Sequence, residues 1–159
     1  MGAWGTGILQ DDAALDIYQD YLRRWDDGEE SAVSIRAGIA EDFADAFEDG
    51  EDGPVSWLAL AQAQWECGVL QADILAKAEE IVVDGSDLKQ WEVAIHPESY
   101  GRRRGVLKRF LVKIRTPRAH PRPQGPRRRR SPYARALYPA GACLAIQLSD
   151  GDWVPCWCW

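Results

Sequence analysis

The sequence has no apolar stretch long enough to cross a membrane. A transmembrane helix needs about 20 consecutive apolar residues, and every apolar run in this chain of 159 residues is shorter than that. The start of the chain also lacks the basic residues followed by an apolar block that mark a secretory signal. We therefore expect no membrane segment and a cytoplasmic location.

Metal ligands at the usual spacing are also missing. The chain has two histidines and four cysteines, and neither His96 nor His120 stands near another ligand candidate at metal-site spacing. Cys156 and Cys158 are separated by one residue, which is too close for the usual structural zinc pair. Calcium-loop and phosphate-binding glycine patterns are absent as well. The sequence predicts no metal site and no cofactor.

The many carboxylates do not form a catalytic pattern. General acid–base pairs need different surroundings that separate the pKa values of their two members. The acidic residues of this chain instead gather on polar helix faces and in loops, where nothing apolar would raise the pKa of one of them selectively. We therefore expect a protein that is not an enzyme.

Acidic residues are absent from one long stretch, residues 99–135, which carries 14 basic side chains. By contrast, residues 1–98 carry 23 acidic and 5 basic side chains. Opposite charge blocks of this size attract each other, most strongly at low salt. Two interpretations stay open: the basic stretch lies partly along the acidic part of the chain, or it is an arm that binds nucleic acid.

The most clearly bounded element is a predicted helix over residues 54–68. Asp52 can cap its start, Pro54 lies where a first-turn proline is tolerated, and Gly68 can end it in the left-handed conformation. Apolar residues cover most of its surface, which is typical of a buried helix. We predict that it is the centre of a helical bundle, and that three tryptophans are structural anchors of the core: Trp4, Trp57 and Trp65.

Other helical patterns surround this central element. Apolar periodicity and capping residues predict helices over residues 11–27, 31–49, 71–83, 87–94 and 100–115. The last of them carries a group of basic residues that are expected to face mainly outward: Arg102, Arg103, Arg104, Lys108 and Arg109. The predicted fold class is mainly α, a compact bundle of about five to six helices that forms a domain over residues 1–115.

The next segment, residues 116–135, is rich in proline and arginine. Such a composition cannot bury a core, and it predicts a flexible, solvated basic linker. Basic segments can bind phosphate backbones without sequence preference. Four consecutive arginines are therefore candidate nucleic-acid contacts: Arg127, Arg128, Arg129 and Arg130.

Residues 136–159 change to a β pattern. A strand-like run over residues 143–148 is followed by Ser149-Asp-Gly-Asp152, which is a hairpin turn signal. A two-stranded hairpin is marginal by itself in water. We expect this segment to be a β-hairpin that belongs to a truncated β domain.

The ending Cys156-Trp-Cys-Trp159 is unusual for a strand that follows a turn. Its codons can be written so that a shifted reading frame gives Leu-Val-Leu, which suits a β-strand. We therefore predict that the chain from about Asp152 onward results from a change of reading frame. The alternative is a genuine closing strand, in which side chains alternate onto one face: Trp153, Trp157 and Trp159.

Two parts of the sequence resemble known bacterial families. Met1-Gly-Ala-Trp-Gly-Thr-Gly7, followed by Asp11-Asp-Ala-Ala-Leu-Asp16, resembles an uncharacterised bacterial domain family that begins Met-Gly-Ala-Trp-Gly. This resemblance covers about residues 1–115 and implies a small cytoplasmic bacterial protein with no catalytic residues to transfer. Residues 138–151 look like the first strand and turn of a β domain found in immunity proteins of bacterial toxin systems.

Two functions are compatible with these expectations. The first is a protein-interaction module, such as an immunity protein, that binds a basic protein partner (for example a basic toxin) through an acidic surface. The candidate residues of that surface are Glu41, Asp42, Asp45 and Asp49. The alternative is a nucleic-acid-associated accessory protein that uses the basic segment at residues 102–135.

Overall fold

A computed structural model of the chain contains two compact units, one within residues 1–128 and one within residues 129–159. The first unit is helical and the second contains a β-hairpin. No helix in the described part is both long and apolar enough to cross a membrane. The described residues are 4–28, 31–92 and 97–126, together with the backbone of 143–147 and 153–157.

The helical unit confirms the predicted fold class, which was mainly α with about five to six helices. Five of its helices in the described range are longer than ten residues, and a 3-10 turn at Ser86–Leu88 precedes the short α6. The helices are α1 (Asp12–Asp27), α2 (Ala32–Asp42), α3 (Ala44–Glu48), α4 (Asp52–Glu66), α5 (Ala72–Asp84), α6 (Lys89–Glu92) and α7 (Pro97–Arg115).

Helix α4 is the central element, as its sequence predicts. It packs against α1, α3, α5 and α7, and its contact with α1 is the most extensive. Nine of its fifteen residues are buried, including Leu58 and Leu60, which have no exposed surface. Because Ala59, Ala61 and Ala63 are also fully buried, their small side chains let neighbouring helices approach α4 closely. The core of the unit therefore lies around α4.

The start of α4 differs from the prediction that Asp52 is its cap. The side chain of Asp49 accepts hydrogen bonds from the backbone N–H groups of Glu51 and Asp52, at 2.7 and 2.9 Å. These bonds stabilise the charged carboxylate and lower the pKa of Asp49. At the other end, Gly68 has a φ of 72°, so the predicted left-handed stop is present one residue beyond the cap at Cys67.

The helix predicted over residues 31–49 is divided in two by Phe43. This residue has a φ of −116° and a ψ of 26°, outside the helical range, and it separates α2 from α3. A four-residue apolar step drifts around a continuous helix, so one straight helix would turn its last aromatic side chains away from the core. With the break, the ring centroids of Phe47 and of Trp57 on α4 are 4.6 Å apart.

The second unit contains the predicted hairpin, with β1 (Cys143–Gln147) paired antiparallel to β2 (Trp153–Trp157). The alternative of a genuine closing strand with Trp153, Trp157 and Trp159 on one face stays a prediction, since these side chains lie outside the described residues. Pro155 in β2 is compatible with a two-stranded sheet, because both strands are edges and a missing N–H can face away from the partner. The frame change and the truncated β domain stay predictions.

Candidate functional site

The four predicted partner-binding carboxylates are all exposed and lie on α2, α3 and the turn that follows. Asp42 forms an ion pair with Arg24 of α1, and Asp49 caps α4 as described above. Glu41 and Asp45 have no cationic partner among the described residues. Glu48 and Glu51, which are close to them in sequence, are exposed as well. We call these residues together the acidic surface: Glu41, Asp42, Asp45, Glu48, Asp49 and Glu51.

Partly exposed aromatic side chains lie beside the acidic surface. Phe43, Phe47 and Trp57 are each half-buried against the core. Phe43 also contributes to an open cavity of about 330 Å³ whose other lining residues come from α1: Asp16, Gln19, Asp20 and Arg23. An aromatic centre with a charged rim is the usual anatomy of a protein-binding surface.

The predicted tryptophan anchors differ in how they are buried. Trp57 and Trp65 are half-buried and pack against the outside of the core. Trp4 is 55% exposed and does not fill a pocket. Its backbone N–H donates to the carbonyl of Gln10 at 3.0 Å, which folds the N-terminal loop back on itself. In this loop Ile8 is the buried apolar side chain, and the prediction for Trp4 is wrong.

A buried arginine fixes this loop to the rest of the unit. Arg103 is 2% exposed, although its place in a basic stretch of sequence suggests an outward direction. Its guanidinium donates to both carboxylate oxygens of Asp87, at 2.5 and 2.8 Å, and to the carbonyl of Gly7 at 2.7 Å. Helical spacing could have revealed it, because Arg103 lies on the same face of α7 as Leu107 and Phe110. Its role is structural.

Six basic residues of α7 are exposed along both flanks of its buried stripe, and we call them together the basic face: Arg102, Arg104, Lys108, Arg109, Lys113 and Arg115. Arg102 pairs with Glu98, and Arg115 pairs with Glu79. No acidic partner binds Arg104, Lys108 or Arg109 within the part of the chain that the structure describes. The four predicted arginine contacts, Arg127 to Arg130, lie outside the described residues.

The flexible basic linker is predicted over residues 116–135, and the structure describes its first part, residues 116–126, as a segment that is mostly exposed but is bonded to the helices. Residues 127–135 lie outside the described residues. The described segment, residues 116–126, which we call the strap, lies against the helical unit near the C-terminal ends of α1 and α4. The indole N–H of Trp65 donates to the carbonyl of Thr116 at 2.7 Å, and that of Trp25 donates to the carbonyl of Arg122 at 3.1 Å. In turn, the Arg122 backbone N–H donates to the carbonyl of Glu66 at 2.7 Å. The strap therefore satisfies carbonyls and indoles that a linker in solvent would leave to water.

Charged side chains add to this attachment. The Arg122 guanidinium donates to both carboxylate oxygens of Asp26, at 2.8 and 2.5 Å. These bonds lower the pKa of Asp26 and raise that of Arg122. Arg118 lies 4.9 Å from the ring centre of Trp65 and 3.9 Å from Glu66. For the strap, the interpretation that basic residues lie along the acidic part of the chain is therefore correct.

The same region contains two groups that resist ionisation. Burial raises the pKa of the Cys67 thiol to about 12, so this cysteine is a poor nucleophile at neutral pH. Burial also raises the pKa of Tyr18, and the hydrogen bond that its hydroxyl donates to Glu66 at 2.6 Å adds to the effect. Within the described residues, no group of three or more histidine, cysteine or acidic side chains could hold a metal ion.

Comparison of the chain with protein-family models, with curated proteins and with solved structures gives no match in any of the three. The resemblances carried by Met1–Gly7 and by residues 138–151 therefore stay predictions. The class of protein is defined only by its fold, a helical unit with two surfaces of opposite charge and a strap bound at one end. Functional assignment rests on those surfaces.

Proposed function

We propose that this chain is a non-enzymatic protein-interaction module whose acidic surface binds a basic protein. The observation that carries the proposal is that exposed carboxylates without a cationic partner among the described residues flank half-buried aromatic residues in sequence, at the α2–α3 junction and on α3. Phe43, Phe47 and Trp57 supply apolar contact area, while Glu41 and Asp45 stand beside them without a cationic partner among the described residues. A basic partner would gain both hydrophobic contact and charge complementarity there.

The charge of the acidic surface also suits fast association. Like charges gathered on one face raise the rate at which an oppositely charged protein finds its binding site. A basic toxin that this chain neutralises is a partner of this kind, and the resemblance of residues 138–151 to immunity proteins supports it. The resemblance of the N-terminal stretch supports a bacterial, cytoplasmic setting.

Reversal of two charges on the acidic surface should abolish capture of such a partner. We expect Glu41→Lys with Asp45→Lys to weaken binding at least about tenfold, because like charges brought together across an interface cost several kcal/mol. The matched control is Glu80→Lys with Glu98→Lys, which makes the same charge change at exposed sites on α5 and α7. The measurement uses the immobilised full chain and a lysate of the native host, followed by titration of the purified captured protein.

The captured protein should carry net positive charge, and the control variant should bind it as the unmodified chain does. Equal loss of binding in both variants would assign the interaction to overall charge rather than to the acidic surface. A partner that binds the reversed variant as tightly as the unmodified chain would overturn the proposal.

A second candidate function, nucleic-acid binding, is favoured by the basic face of α7. Three of its residues, Arg104, Lys108 and Arg109, are exposed and have no acidic partner in the described range, and Arg104 and Lys108 lie one helical turn apart. Small residues at Gly101 and Gly105 leave the helix backbone accessible between the basic side chains. A phosphate backbone would contact the basic side chains of this helix. Arg127 to Arg130 stay candidate contacts from the sequence.

Binding of a fluorescent DNA duplex tests the second function. We expect binding at low salt whose affinity falls steeply as salt rises, with a log–log slope of about −3 for three or four neutralised phosphates. Arg104→Glu with Lys108→Glu should weaken binding at least about tenfold more than Arg23→Glu with Lys77→Glu, a control with the same charge change on α1 and α5. Absence of binding to any nucleic acid at low salt would eliminate this function.

A further inference from the structure

The strap lies along a strip of the helical unit that we call the groove, and most of its residues stay exposed on their outer side. Most of its hydrogen bonds to the helices are made by strap backbone atoms. The indole N–H groups of Trp25 and Trp65 donate to strap carbonyls, and the Glu66 carbonyl accepts a strap N–H. Every peptide presents such carbonyls, so these bonds do not depend on the side chains of the strap. Tryptophan donors that line a groove are the usual means of holding an extended proline-rich peptide, because prolines stiffen the peptide and leave its carbonyls free.

Side-chain contacts give the groove a preference for arginine. Asp26 holds Arg122 through two hydrogen bonds, and paired bonds of this geometry are specific to a guanidinium. Arg118 lies over the ring of Trp65 and near Glu66. The groove therefore carries two arginine-binding positions, with three residues between the two arginines of the strap.

Two glycines show how closely the extended backbone approaches the helices. A Cβ atom at Gly68 would lie 2.7 Å from the Cβ of Pro121, which is closer than real contacts of this kind. A Cβ atom at Gly125 would overlap the carbonyl oxygen of Asp26. The Gly125 N–H uses this close approach to donate to the Trp25 carbonyl at 3.1 Å. Both the groove and its occupant are shaped for this contact.

The strap does not fill the groove completely. A cavity of about 330 Å³ remains beside Pro117 and Pro121. Apolar side chains of three helices and of the α4–α5 connection line it, including Trp65, Leu70, Leu75 and Ile114. A peptide with a larger apolar side chain at this point would bury surface that the strap leaves open.

We propose that this groove is a binding site for an extended proline- and arginine-rich peptide of a partner protein, and that the strap occupies it in cis until the partner displaces it. The site shares no residue with the acidic surface. The strap competes effectively because it is tethered directly to the end of α7, which gives it a local concentration in the millimolar range. A partner peptide binds by matching the carbonyl and arginine contacts and by filling the cavity.

The test measures binding of a peptide to a full-length chain whose strap is weakened. The probe is a synthetic peptide with the sequence of residues 116–126. The receptor carries Arg122→Ala and Gly125→Ala. The first substitution removes the ion pair with Asp26, and the second adds a Cβ atom that would overlap the Asp26 carbonyl oxygen and therefore forces the strap away from α1. Arg102→Ala with Gly50→Ala is the matched control, since it removes another exposed ion pair and alters a glycine with no atom within 4 Å. The readout is the pair of indole N–H resonances of Trp25 and Trp65 in proton–nitrogen NMR spectra.

We expect the peptide to saturate the weakened variant at a concentration at least about tenfold lower than it needs for the unmodified chain or the control. A peptide in which both arginines are glutamate should bind at least about tenfold more weakly. If the double variant fails to fold, Arg122→Ala alone serves, because it removes only an exposed contact and the backbone bonds remain.

The proposal would be overturned if the peptide saturated the weakened and the unmodified chains at the same concentration. It would also be overturned if the glutamate peptide bound as tightly as the peptide with the two arginines. Resonance changes confined to other tryptophans would do the same, because they place the peptide outside the groove. If the unmodified chain is a dimer that the peptide dissociates, the strap of one copy occupies the groove of the other. The assignment of the groove to a different partner protein is then wrong.

Discussion

Replacement of Arg103 by alanine is expected to lower the free energy of unfolding by about 3–5 kcal/mol, since removal of one member of a buried ion pair leaves an uncompensated charge. Asp87, its partner, has no exposed surface. The substitution also frees the carbonyls of Thr6 and Gly7, which otherwise accept hydrogen bonds from the guanidinium. Denaturant unfolding of the full chain, followed by far-ultraviolet circular dichroism, measures the loss.

The control for this experiment is Arg102→Ala, one residue earlier on the same helix. Arg102 is exposed and pairs with Glu98 within one helical turn, and such pairs contribute less than about 1 kcal/mol. Joint replacement of Arg103 and Asp87 by leucine should recover much of the loss, because no charge is left unpaired. Equal effects of Arg103→Ala and Arg102→Ala would show that water reaches Asp87 and that the pair is not buried in solution.

Truncation of Leu58 to alanine is expected to cost about 2–5 kcal/mol, because it removes apolar surface and leaves a cavity at the centre of the bundle. Leu58 is fully buried on α4, and α4 contacts four other helices. The loss of free energy of unfolding is measured by the same denaturant method. Trp57, beside it in sequence, is half-buried and is a weaker test of where the core lies.

Val83→Ala is the control for Leu58→Ala. Val83 is 82% exposed on α5, so its truncation should change the free energy of unfolding by less than about 0.5 kcal/mol. A cost below 1 kcal/mol for Leu58→Ala would contradict the central position of α4. A large cost for both substitutions would instead indicate that α5 is covered in solution, for example by a second copy.

Much of the helical unit could be predicted because its helices have clear starts, ends and apolar periods. Ser31 caps α2 through a side-chain bond to the N–H of Ser34, and Gly28 and Gly85 end α1 and α5 in the left-handed conformation. These signals act within one or two helical turns, so they are visible in the sequence. The acidic surface could be located for the same reason, since polar residues on one side of a helix face solvent.

The strap could not be predicted, because its composition favours an extended chain whether or not a groove is present to hold it. Proline lowers the entropy cost of ordering the segment, and arginine adds charge and hydrogen-bond donors. The segment binds only because Trp25, Asp26 and Glu66 lie where they can contact it. Those three residues are about 50 to 100 positions away in the chain from Arg122. No local rule relates them.

The sequence by itself determined the helical class, the central position of α4 and the separation of charge, because each follows from local periodicity and composition. The tertiary structure decided which members of those patterns are buried or bound. It turned Arg103 inward to Asp87 and left Trp4 in solvent. It also divided one predicted helix at Phe43. The physical reason is that burial of a polar or aromatic group depends on partners that other helices supply, and those partners meet only when the chain is folded.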